Sequence, residues 1–124
     1  MKLRIKGNTL RVRLSQSEVI ELDEKGLVKD QIQFGLTSLS YSIVSDVLVD
    51  HQVRYENNAI EIIVPNEEVN NWAKTDQVGF DFTMNWKGQN SIHVLIEKDF
   101  KCLTDRPNED ESDLFENPMQ GHTC

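Results

Sequence analysis

The chain opens on an alternation of period two. In KLRIKGNTLRVRL (2–14), Leu3 and Ile5 fall on one strand face, and Leu10, Val12 and Leu14 on the matching face of a second strand. Gly7-Asn8 lies between them and supplies the backbone freedom of a tight turn, so the pattern predicts a hairpin. The period then changes. Ser15-Gln16-Ser17-Glu18 has the spacing of a capping box, Val19 and Leu22 form an apolar stripe, and Gly26 is placed to stop a helix. Strand patterns return at 27–34, where Val28, Ile32 and Phe34 align, and at 38–45, with Leu39, Tyr41 and Ile43. A further hairpin follows later: Val78, Phe80, Phe82, Met84 and Trp86 share a face, Lys87-Gly88-Gln89-Asn90 turns, and Ile92, Val94 and Ile96 return.

The second half echoes the first at a shift of 50. LRIKGNTLRVRLSQSEV (3–19) aligns without a gap on VRYENNAIEIIVPNEEV (53–69), with four identities in 17 pairs: Arg4/Arg54, Asn8/Asn58, Glu18/Glu68 and Val19/Val69. Apolar positions coincide, the Gly7-Asn8 turn falls on Asn57-Asn58, and Pro65 opens a second helix where Ser15 opens the first. Alternation alone accounts for the apolar matches; the shared register of turn, helix start and resumed strand points to duplication. The expected fold is α+β: duplicated ββαββ units, copies about 1–47 and 51–98, in a pseudo-twofold antiparallel sheet or partly closed barrel with two helices. Short connections favour the antiparallel choice.

Composition narrows the possible functions without selecting one. With 13 basic and 21 acidic residues in 124, the net charge is −8, which disfavours binding to DNA phosphates. Hydrophobic residues, at 38%, suffice for one core, spanning about residues 1–100. No apolar run is long enough for a membrane span, and the first residues show no leader pattern. With only two cysteines, the expected location is the cytoplasm. Residues 101–124 form an acidic tail of net charge −4, either solvated or docked, with Leu114 and Phe115 as the anchors that docking would use.

Three places could carry chemistry. Lys2, Arg4, Lys6, Arg11 and Arg13 share the polar face of the first hairpin and could hold a small anion. A solvated or self-paired sheet face is the plainer alternative, because the second copy replaces Lys6, Arg11 and Arg13 by Glu56, Glu61 and Ile63. Cys102, His122 and Cys124 are zinc-type donors or a disulfide pair, but their spacing fits no common finger, and no cofactor is expected. The EDESD run (109–113) lacks calcium-loop spacing. His51 has the parity of an interior or rim residue, and His93 that of a surface one; Trp72 and Trp86 are expected in the core or at its edge. No nucleotide-loop or zinc-protease motif occurs.

MKLRIKGNTLRVRLSQSEV, WAKTDQVGF and IEKDFKCLTDRPNEDESDLFENP together resemble a family of small uncharacterised bacterial proteins, a domain of unknown function. The resemblance carries no activity or catalytic residue. It implies that the tail is an ordered part of the design, and that Cys102 and Cys124 meet through a bond or a metal. The function expected from all this is a non-catalytic cytoplasmic binding or protein-interaction domain. Its partner would be a protein, a small anionic ligand or a second copy of itself. The alternatives are a metal- or redox-dependent protein built on Cys102, His122 and Cys124, and an enzyme acting on a small anion at the cationic face.

Overall fold

A computed structural model describes residues 1–47, 50–102 and 110–117. The elements run β1 (Lys2–Lys6), β2 (Thr9–Leu14), α1 (Gln16–Lys25), β3 (Leu27–Phe34), β4 (Thr37–Asp46), β5 (Gln52–Glu56), β6 (Ala59–Pro65), α2 (Asn66–Lys74), β7 (Gly79–Asn85) and β8 (Ser91–Lys98). Local chemistry explains most of these boundaries. Ser15 and Glu18 form the capping box at the start of α1, and Gly26 ends the helix in the left-handed conformation its missing Cβ permits. Asn57 and Asn58 both take positive φ, as a two-residue hairpin turn requires. Pro65 precedes α2, where its missing N–H costs no helical bond.

The fold is α+β, but the single antiparallel sheet is not what forms. There are two four-stranded mixed sheets, ordered β1-β2-β8-β7 and β3-β4-β6-β5. Each hairpin is antiparallel, as its short turn dictates. The central pairs, β2 with β8 and β4 with β6, are parallel. Sequence proximity could not reveal this, because neither central pair is consecutive in the chain: β5 lies between β4 and β6, and most of the chain lies between β2 and β8. Nor does a barrel close. No strand pairing joins β5 to β7 or β3 to β1 among the described residues, although side chains bridge both seams. The Val53 N–H points at Met84 Sδ (3.3 Å) and His51 lies on Phe82 (5.0 Å between rings) at one seam. At the other, the Tyr41 hydroxyl donates to the Met1 carbonyl at 3.4 Å.

Both helices pack at one end of the sheets, against each other and against β2, β3, β4 and β6. That end is the solid part of the core: Leu14, Val19, Leu22, Val64, Val69 and Trp72 are fully buried. The hairpin turns lie at the opposite end, where Asn8 bonds to Ser91 and His93, and Asn58 to Ser40. Burial slackens toward the turns, from Val64 to Ile60 along β6 and from Ile96 to Ile92 along β8.

Residues 110–117 pack on the body. Phe115 bridges to Phe100, Leu114 is buried, and the start of α1 bonds to Asp113: Gln16 N–H to its carbonyl (2.9 Å), Ser17 N–H and hydroxyl to its carboxylate. A residue from the far end of the chain thus satisfies amides that a helix start leaves open. Hydrogen bonds from the Ser17 and Ser15 side chains hold the Asp113 carboxyl below the usual aspartate range. A pKa depressed in the folded state contributes stability above the unfolded value and loses it as pH falls. Segment 110–117 is therefore expected to undock as pH drops below roughly 4, read as faster amide exchange at Gln16 and Ser17. Asp113→Asn should abolish that pH response; an unchanged response would place the titrating group elsewhere.

Candidate functional site

The five cations of the first hairpin do not converge on one concavity. Lys2 faces Arg13 and Arg4 faces Arg11 across β1 and β2, so the hairpin by itself stacks like charges. The relief comes from the β8 side. Arg11 pairs with Glu97, which raises the arginine's pKa chiefly through their hydrogen bond. Lys2 Nζ sits 2.8 Å from the buried carboxylate of Asp99, just beyond β8. Lys2 and Arg13 line a polar recess of about 350 Å³ with Ser15, Ser17, Glu18, Asp99, Asp110 and Asp113, where acids outnumber bases. Arg4 and Lys6 are exposed on the outer strand.

Of the C-terminal candidates, Cys102 is described, with its N–H donating to Glu111 Oε2 at 2.7 Å. His122 and Cys124 lie outside the described residues, and the zinc and disulfide expectations with them. Among the described residues no three histidines, cysteines, aspartates or glutamates are grouped to hold a metal. His51 is half-buried between Glu68 (2.8 Å) and Asp50 (3.1 Å), and His93 pairs with Asp81 at 2.7 Å. Lys98 is buried, donates to the Thr75 carbonyl at 2.7 Å and lies over the Phe115 ring; burial pulls its pKa below the usual lysine range.

The concavity best suited to a ligand is one that charge and motif did not reveal. Toward the turns, beyond the reach of the helices, the two sheets leave an apolar cavity of about 230 Å³. Leu10 of β2, Ile92 of β8 and Trp86 form one wall; Val53 and Tyr55 of β5, with Arg54 between them in the strand, and Ile60 of β6 form the other. The inward parity of Leu10, Ile60 and Ile92 was legible as core. Their failure to be covered was not, because covering depends on how far the helices extend over the sheets. Trp86 (39% exposed) and Tyr55 (66% exposed) stand at the rim. The Arg54 guanidinium lies 3.8 Å from Glu61 and 3.5 Å from Gln52, on the face of β5 away from the cavity. The lining carries no carboxylate, imidazole, thiol or aliphatic hydroxyl among the described residues. Such walls can sequester an apolar body; they provide no nucleophile with an adjacent base.

No helix of the described chain is long and apolar enough to cross a membrane. No curated protein and no solved structure matches the chain. The pattern of a family of unknown function (DUF7009) matches residues 1–119, and the chain belongs to that family.

Proposed function

We propose that this protein is a non-catalytic binding protein that takes a small apolar or aromatic molecule into the cavity between its sheets. The observation that carries the reading is an apolar cavity of about 230 Å³ lined by Leu10, Val53, Tyr55, Ile60, Trp86 and Ile92. An apolar cavity of roughly 150 Å³ holds benzene, so this one has room for a substituted ring or a short acyl chain. We place the protein in the cytoplasm, on its sparse cysteines. We also infer a duplicated origin: advancing each strand by four turns β1-β2-β8-β7 into β5-β6-β4-β3, the second sheet read backwards.

The test is a fluorescence titration with aromatic and short-chain apolar compounds, since Trp86 lines the cavity while Trp72 is sealed in the core. A saturable change is expected, lost in Trp86→Phe as signal and in Ile60→Trp as binding. A flat titration across the panel would overturn the reading, as would binding indifferent to Ile60→Trp.

A further inference from the structure

The two sheets end in four edge strands, β1, β7, β3 and β5, and these edges are not protected alike. An open edge presents free N–H and C=O groups that pair with any extended chain unless charges, proline or a covering element intervene. On β1, Lys2, Arg4 and Lys6 alternate, so another strand would meet a row of cations. β5 carries Arg54 and Glu56, and β7 has the chain at and before β5 against it, His51 on Phe82 and the Val53 N–H at Met84 Sδ. The distal half of β3, Gln31-Ile32-Gln33-Phe34, has no charge, no proline and, among the described residues, no strand on its side away from β4.

That half also leaves the body. The last pairing of β4 with β6 toward the turns is Ser40 with Ala59, so residues 32–39 continue as a two-stranded arm. The core face of the sheet runs out along it: Val28 opposite Ile43 is buried, Asp30 opposite Tyr41 follows, and then come Ile32 opposite Leu39 and Phe34 opposite Thr37. Ile32 is 49% exposed, Phe34 60%, and Leu36 at the tip fully so. The other face is wholly polar, with Gln31, Gln33, Ser38 and Ser40. A single chain gains nothing from holding Ile32, Phe34 and Leu36 in water on an unprotected strand.

We propose that a second copy of this chain covers the arm, with the two β3 edges pairing antiparallel about a twofold axis to join two four-stranded sheets into one of eight strands. This surface is separate from the cavity and does not depend on the ligand reading. A self-pairing edge is self-complementary, so one patch serves both copies and the assembly stops at two. The area is adequate: Ile32, Phe34 and Leu36 expose roughly 300–400 Å² of apolar side chain per copy, and strand pairing adds backbone on both sides. The total approaches the ~1,000 Å² expected of a specific contact. Strand geometry selects the pairing atoms. Gly35, at φ +63°, forms a two-residue turn that makes Phe34 and Thr37 a hydrogen-bonded pair. Alternation then turns the N–H and C=O of Gln33 and Gln31 outward. The Gln31 N–H is held by Asp30 Oδ1 (2.9 Å), an exposed contact that strand pairing would replace.

Sedimentation equilibrium of the full chain over a wide concentration range tests this, with two variants. Phe34→Lys places a charge on the exposed apolar face, and Gln33→Pro removes an outward donor while sparing the ladder to β4. A monomer–dimer equilibrium is expected, weakened at least tenfold by either variant, with thermal unfolding of the monomer little changed. Should Gln33→Pro misfold, Phe34→Lys decides alone. A monomer at every concentration overturns the proposal, even if the arm captures an added β-strand peptide. A dimer that persists undiminished in the folded variants overturns it as well.

Discussion

Trp72→Ala is expected to destabilise the protein by about 3–5 kcal/mol, the range for deleting a buried aromatic side chain. The indole is fully buried and meets Phe80 edge-on, 5.3 Å between centroids with the planes at 80°. It holds α2 to the start of β7, because its Nε1–H donates to the Val78 carbonyl at 3.1 Å. Alanine removes the packing and the bond together. Trp72→Phe separates them, since it keeps an aromatic ring and loses the donor. The Val78 carbonyl still accepts from the Lys98 N–H (3.0 Å), so it is not left bare. The phenylalanine variant should therefore lose roughly 1–2 kcal/mol, a net hydrogen bond plus some packing. Denaturant unfolding of the three proteins checks the ordering. Equal losses in both variants would mean that the bond, and not the packing, dominates at this position.

Gly79→Ala is expected to be nearly as damaging, for a different reason. A Cβ at residue 79 would stand 2.5 Å from the Ile96 carbonyl oxygen and 2.8 Å from Glu97 Cγ. The side chain of Glu97 can swing away, but the Ile96 carbonyl belongs to β8, which is bonded to β2 on one side and β7 on the other. Moving it disturbs both ladders. The cost should lie at the upper end of the overpacking range, about 3 kcal/mol. Gly88→Ala is the control, with φ at +75° and no atom near the added carbon. It should lose about 1 kcal/mol, from backbone conformation alone. Thermal or denaturant melts of both variants read the difference, and similar losses would show that β8 yields where the geometry says it cannot.

Much of the fold was legible before the structure. The hairpin turns at Gly7-Asn8 and Asn57-Asn58, the helix between Ser15 and Gly26, and the buried stripe of Leu10, Val12 and Leu14 all follow from spacing and turn chemistry. These are interactions between residues within about ten positions of each other, which a linear pattern records directly. The candidate site was less legible. Leu10 and Ile92 were readable as inward-facing, but Tyr55 and Trp86 carry no local signal that sets them at the rim of one cavity.

What the sequence determined by itself was thus the set of elements and the inward face of each, because period and capping are local physical demands. Tertiary structure alone decided which hairpins share a sheet, since β2 pairs with β8 and β4 with β6, neither of them its neighbour in the chain. It also decided where charge is compensated. The cations of β1 and β2 look unpaired along the chain, yet Glu97 and Asp99 come to them from the end of β8. The cavity and the uncovered arm have the same origin: each exists where an apolar face runs past the element that would have covered it. Coverage is a property of relative position in space, and no stretch of one strand or one helix can encode it alone.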